Sequence, residues 1–301
     1  MQLGFFGPVG TFTHQALLTL GDHDHVAYAS VVATLNAVRS GEVEAALVPI
    51  ENSVEGGVSA TLDNLGSEPA LRIVREVLLP VQFGLYAKHG TRLEDVKKVL
   101  THPTAAAQVR HWLADHLPDA VITEGGSTAG AAEHVAAPDA THDAAVCARI
   151  AGEMYGLEEL AGGIADNESA VTRFVLVARP DAARPTRTGA DKTTMVLYPY
   201  TDRPGGLLDI LEQFAARGIN LTRLESRPTK TTLGQYCFSI DAEGHIEDER
   251  MAETLLGLHR TCREVVFLGS YPRADEVEAH LPRGASDHDY RRAHAWLAGL
   301  R

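Results

Sequence analysis

The sequence predicts an α/β protein followed by a smaller α+β module, and three observations predict it. Over residues 1–178, short apolar runs rich in Val, Ile and Leu alternate with helix-like patterns, the arrangement of a largely parallel sheet flanked by helices. Residues 179–191 (RPDAARPTRTGAD) lose all periodicity and read as a linker. From residue 192 to 271 the order becomes βαββαβ, a sheet covered by two helices on one face. The expected division is therefore 1–178, linker 179–191, module 192–271 and a charged tail 272–301.

Composition narrows the function classes. A chain of 301 residues, 45% hydrophobic and 22% charged, is sized for about two globular domains. Its net charge of −13 opposes nucleic acid and anionic membranes as partners. The same charge weakly repels an anionic small molecule, so such a ligand must be captured by local donors. The first residues carry no basic segment ahead of an apolar stretch, and no apolar run approaches the ~18 residues of a membrane span. The expected location is the cytoplasm. Cys147, Cys237 and Cys262 are odd in number and widely spaced, which suggests neither a disulfide framework nor a zinc site. His23, Asp24 and His25 are metal-type residues but follow Gly21 in a polar turn, so no metal is expected.

Taken in order, residues 2–6 read as a buried strand, and Gly7-Pro8-Val9-Gly10-Thr11 turns the chain into a helix over 12–20. Glycines at a strand-to-helix turn let backbone N–H groups approach an anion, although the same turn can simply be capped by Thr11 or Thr13. Ser30 is an N-cap for a helix over 31–39. Residues 44–50 form a strand expected to stop near Pro49, delivering Glu51, Asn52 and Ser53 to a strand's C-terminal end, where α/β proteins place chemistry. Residues 71–79 and 81–87 read as strands separated at Pro80, a natural crossing between two lobes.

In the second lobe a short helix over 93–97 and a strand over 98–100 lead to Thr101-His102-Pro103-Thr104 and one helix over 105–117, with Gln108 a turn inside. His102 is forced extended by Pro103 and is open to a structural or a functional reading. After a strand over 121–123, Gly125-Gly126-Ser127-Thr128 repeats the glycine, hydroxyl and helix-start device ahead of a helix over 129–136. A strand over 144–147 and a helix over 148–155 follow. Cys147 reads as a small buried residue. At residues 164–177 (IADNESAVTRFVLV) a polar, turn-rich half runs into an apolar strand, so Thr172 and Arg173 sit where a loop enters a core.

Five stretches in this order, GPVGTFTHQA (7–16), VPIENSVEGGV (48–58), THPTAAAQ (101–108), STAGAA (127–132) and TRF (172–174), resemble the prephenate dehydratase family. The stretches PGGLLDIL (204–211) and ESRP (225–228) resemble its ACT regulatory domain. The resemblance implies a two-lobed, periplasmic-binding-protein-like catalytic domain, lobe 1 being about 1–80 plus 160–178 and lobe 2 about 81–159. It implies decarboxylative dehydration of prephenate to phenylpyruvate, with no cofactor. Arogenate, the aminated analogue, and a non-catalytic amino-acid sensor are the alternative readings.

The resemblance makes Thr172 the group contacting the leaving hydroxyl, with Glu51 and Asn52 beside it in catalysis. Glu51 would supply the proton if burial raised its pKa. Substrate positioning then falls to Gly10, Thr11, Ser53, Thr101, Gln108, Ser127, Thr128, Arg173 and Phe174. Phenylalanine is implied as an effector bound by Gly205, Gly206, Leu207, Leu208, Glu225, Ser226, Arg227 and Pro228, at a subunit contact of a homodimer or homotetramer. Thr101 stands where the family commonly has serine and keeps the hydroxyl. Thr104 stands where glutamine is common, and loses the amide.

Overall fold

A computed structural model describes residues 2–230 and 235–301. Two compact units form, residues 1–58 with 78–174 and residues 59–77 with 175–301. The first unit begins with β1 (Gln2–Phe6), α1 (Phe12–Leu18), β2 (Asp24–Tyr28), α2 (Val31–Ser40), β3 (Ala45–Asn52) and the two-residue β4 (Gly56–Gly57). The chain then contributes α3 (Ser59–Leu65) and most of β5 (Arg72–Pro80) to the second unit. Back in the first unit follow β6 (Gly84–Ala87), a 3-10 turn (Leu93–Asp95), β7 (Lys98–Thr101), α4 (Pro103–Gln108), α5 (Arg110–His116), β8 (Val121–Glu124), α6 (Thr128–Ala136), β9 (Ala144–Cys147), α7 (Arg149–Met154), β10 (Glu158–Ala161) and the start of β11 (Val171–Ala178).

Two sheets run through residues 2–178. One runs β2-β1-β3-β11-β5 with β4 against β3; the other runs β10-β6-β9-β7-β8. β1 pairs in parallel with both β2 and β3, and β7 with both β8 and β9. The loops leaving the C-terminal ends of β1, β3, β7 and β8 are the ones singled out above, which is where parallel strands offer free backbone groups to a ligand.

Three expectations are corrected. β3 continues through Pro49 to Asn52, because its pairing with β1 ends at Phe5 opposite Leu47 and a proline at 49 breaks no bond of that ladder. Of the strand expected over 81–87, only Gly84–Ala87 is one. The helix expected over 105–117 is two, broken at Val109, whose φ of −123° and ψ of 14° leave the helical region. Val109 is drawn into the core around Val81, Leu85 and Val99. Asp166 accepts from His111 N at 3.2 Å and Trp112 N at 3.4 Å and so caps the second piece. Finally, α3, β4 and β10 had no clear sequence signal.

The second unit adds β12 (Asp191–Pro199), α8 (Gly206–Ala215), β13 (Leu221–Pro228), β14 (Tyr236–Glu243), α9 (Glu249–Thr261), β15 (Cys262–Pro272) and α10 (Asp287–Ala298). This is the expected βαββαβ order, with strands arranged antiparallel as β13-β14-β12-β15. One face packs Met195, Leu197 and Ile240 on Ile210, Phe214, Met251 and Leu258 of the two helices. Residues 59–77 meet the same sheet through polar contacts: Lys192 Nζ lies 3.0 Å from the buried Glu76 Oε2, and Ala274 N donates to Glu76 Oε1 at 2.9 Å. β12 starts at the buried Asp191, so the last residue of the expected linker is already strand. Its carboxylate accepts from Thr188 N and Gly189 N at 2.8 Å each, which holds the turn that starts the strand.

Candidate active site

A cavity of about 770 Å³ lies within the first unit and collects residues from every one of the motif loops. From the first lobe come Gly7, Pro8 and Thr11. Thr11 N-caps α1 by accepting from His14 N and donates its own hydroxyl to Pro8 O at 2.9 Å. Gly10 N donates to His14 Nδ1 at 3.2 Å, and Gly10 itself has φ +84°, with Ala151 atoms 3.3 Å from where a Cβ would stand. Glycine is required there on both counts. The His14 imidazole is held below its ordinary pKa by burial and then by His25, consistent with a neutral ring accepting that bond.

The loop after β3 is built around one amide. Asn52 Oδ1 accepts from Val54 N at 2.8 Å and Glu55 N at 3.2 Å, which fixes the amide's orientation. Its Nδ2 then donates to Thr172 Oγ1 at 2.9 Å, across 120 residues of sequence. With an oxygen lone pair of Thr172 taken by Asn52, the threonine's own O–H is left to donate elsewhere. Ser53 locks the same register: its N–H donates to Val171 O and its hydroxyl accepts from Val171 N, both at 2.9 Å.

The second lobe brings two more helix starts. His102 caps α4 by accepting from Thr104 N on Nδ1 at 3.2 Å, and Ser127 caps α6 by accepting from Gly130 N at 2.9 Å. Gln108 is buried; its Nε2 donates to Glu55 Oε1 at 3.3 Å while its Oε1 has no partner among the described residues. Phe12, Phe83 and Phe174 supply flat apolar lining, the first two edge to face with centroids 5.3 Å apart. The cavity thus joins an aromatic wall to hydroxyls, amides and helix N-termini, a combination that suits a ring-bearing anion.

Comparison with known proteins decides the family: a model described as Prephenate dehydratase matches residues 3–182. The chain belongs to the prephenate dehydratase family. An ACT-domain model matches residues 200–260. A prephenate dehydratase of Amycolatopsis methanolica is 46% identical over 99% of this chain and 97% of its own length. A crystal structure of prephenate dehydratase in complex with L-Phe from Arthrobacter aurescens is 50% identical, with a TM-score of 0.95 over 100% of this chain and 99% of that one. A chain described as a novel type of quorum-quenching acylase is 31% identical, with a TM-score of 0.81 over 90% of this chain and 98% of its own.

Of the residues expected at the prephenate dehydratase site, Thr11, Asn52, Gln108, Ser127, Thr128, Thr172 and Phe174 line the cavity. Five do not. Gly10 stands behind the turn it shapes, and Ser53 is spent on Val171. The buried Thr101 donates its hydroxyl to Val146 O at 2.8 Å, fastening β7 to β9. Glu51 pairs with the buried Arg173 at 3.3 Å, and neither reaches the cavity lining. Conversely, Glu55, His102 and His134 do line it. Glu55 was visible inside the ENSVEGG motif; His134 had no sequence signal. Burial raises the Cys147 thiol to about 12, in line with a packing role. No group of three or more His, Cys, Asp or Glu suited to a metal occurs among the described residues.

In the ACT unit, Gly205, Gly206, Leu207 and Leu208 line a hollow of about 460 Å³ together with Tyr200, Tyr236 and Phe238. Gly205, at φ +81°, starts α8. The ESRP residues lie on β13 and do not share that hollow. Arg227 instead donates to Asp63 Oδ1 through Nε at 3.0 Å and Nη2 at 2.8 Å, and Glu225 accepts from Arg223 at 3.3 Å.

Proposed function

We propose that the cavity converts prephenate to phenylpyruvate, carbon dioxide and water, with Thr172 hydrogen-bonding the leaving hydroxyl. The observation that carries this reading is the Asn52–Thr172 pair, which leaves the threonine proton directed away from its amide partner inside a cavity built from five family motifs. In the reaction the bond from the ring to its carboxylate breaks, the electron pair enters the ring, and the C–O bond to the hydroxyl breaks as the ring becomes aromatic. The departing oxygen takes a proton and leaves as water. Aromatisation supplies the driving force, so the protein's task is to hold two carboxylates and stabilise the departing oxygen in a confined site.

Thr11, Ser127 and Thr128, at the starts of α1 and α6, and the buried Gln108 are the positioning groups; Phe12, Phe83 and Phe174 accept the ring. Glu51 braces Arg173 at the entry to β11. The dehydratase part spans about residues 1–178, the linker 179–191 and the ACT part 192–271, with 272–301 as a tail. Phenylalanine is the effector, bound at the Gly205–Leu208 turn, where backbone N–H groups at the start of α8 meet its carboxylate. No helix among the described residues is long and apolar enough to cross a membrane, and a cytoplasmic homodimer or homotetramer fits an effector site at a subunit contact. The test is to follow aromatic product formation from prephenate and from arogenate, with and without phenylalanine. Turnover of prephenate alone, reduced by phenylalanine, is expected; no product from either substrate overturns the reading.

A further inference from the structure

The reading of the cavity as a prephenate site, on which this inference rests, leaves a charge problem. The substrate carries two carboxylates, the chain's net charge is −13, and the lining residues include no lysine or arginine among the described residues. Of the ionisable side chains that do line it, Glu55 has the wrong sign, and His102, whose Nδ1 accepts from Thr104 N to cap α4, has no second imidazole hydrogen-bonded to it among the described residues. His134, on α6, remains. Its Nε2 accepts from Thr141 N at 3.4 Å and lies 3.3 Å from His142 Nδ1, with Thr141 Oγ1 3.1 Å from each of the two ring nitrogens. An amide N–H can only donate, so Nε2 of His134 is an acceptor and the neutral ring carries its proton on Nδ1. That Nδ1–H has no protein partner among the described residues.

We propose that His134 and His142 act as a one-proton dyad that supplies the cavity with its positive charge. His142 takes a proton from solvent on Nε2, its Nδ1–H donates to His134 Nε2, and His134 Nδ1–H donates to a substrate carboxylate. Burial, then His134 and Lys98, hold the His142 imidazole below its ordinary value, while Asp143 acts in the opposite sense. The other charged neighbours are Glu133 beside His134 on α6, Lys88, which donates to Ala137 O at the end of that helix, the Arg149–Glu153 pair on the packed helix α7, and Glu55 in the cavity lining. An arriving dianion favours the charged form, so binding draws in one proton.

Two readouts test the dyad. From about pH 6 to about pH 8.5 the wild-type KM for prephenate should rise as the dyad loses its proton. His142→Asn, which can still donate to His134 Nε2 but cannot carry charge, should raise KM on the order of tenfold at the acid end, with a smaller effect on kcat, and flatten the KM profile. Titration calorimetry with phenylpyruvate, in buffers of different ionisation enthalpy, should show proton uptake in the wild type and its loss in the variant. His134→Gln, checked for folding by circular dichroism, should lose the same pH dependence. If His142→Asn and His134→Gln keep the wild-type KM profile and proton uptake, the dyad is overturned. A wild type that turns over neither prephenate nor arogenate overturns the cavity reading instead.

Discussion

Thr172 and Asn52 form one hydrogen-bonded pair, the amide donating to Oγ1 at 2.9 Å, and the proposed role of the threonine makes the pair testable as a unit. Removing the hydroxyl should cost the full transition-state contact. Thr172→Ala is expected to lower kcat by roughly 10²- to 10³-fold, the range for one lost donor, with KM changed far less. Asn52→Ala frees the hydroxyl to turn and should lower kcat by a smaller factor, while the double variant should be no worse than Thr172→Ala alone. Additive losses, measured in steady state, would show that the two residues work independently. The two side chains are 120 residues apart in sequence, so no local pattern reveals their contact; each was legible only as a polar group at a strand end. Glu51 illustrates the converse. It sits in the same motif as Asn52, yet side chains alternate along β3, and Glu51 turns to Arg173 instead of the cavity.

Elements whose ends are fixed by their own residues were readable, and those fixed from afar were not. Ser30 and Ser127 accept from the N–H three residues on, a contact written into the adjacent sequence. The break at Val109 depends on Asp166, 55 residues beyond the His111 amide it caps, and no periodicity reports that. α3 was missed for a related reason: its buried face of Thr61, Leu62 and Leu65 is too short to set a helical repeat. The side-chain contact of β5 with the ACT sheet offers a test at this scale. Glu76 and Lys192 are both buried and bonded at 3.0 Å. Glu76→Ala leaves an uncompensated ammonium in the core and is expected to destabilise the second unit by about 3–5 kcal/mol, whereas Glu76→Leu combined with Lys192→Met should recover most of that loss. Calorimetric unfolding checks both, and a Glu76→Ala protein with wild-type stability would show that solvent reaches the pair.

At the scale of the whole chain, the two compact units do not follow the order of the sequence. Residues 59–77 fall inside the span that matches the dehydratase family, 3–182, yet belong to one compact unit with residues 175–301. Deleting the chain from Ala190 onward would leave β5 beside β11 but remove Arg227 from Asp63 and Lys192 from the buried Glu76 carboxylate, so a point substitution separates regulation from folding more cleanly. Asp63, on α3, is the natural site. It accepts from Arg227 at 2.8 Å and lies 2.6 Å from Lys230 Nζ. Burial opposes its ionisation, but the Lys230 and Arg227 hydrogen bonds outweigh that and hold its carboxyl below the usual value. Arg227 belongs to the ESRP stretch, while α3 begins at Ser59, directly after Val58 of the cavity lining and seven residues past Asn52. A change at β13 is thus linked to the loop after β3 by one ion pair and a short run of chain. Asp63→Asn is expected to leave turnover without phenylalanine within about twofold of wild type and to raise the half-inhibitory phenylalanine concentration by about fivefold or more, the lower end of typical coupling. Phenylalanine inhibition that survives unchanged, measured alongside undiminished phenylalanine binding, would place the coupling on another contact.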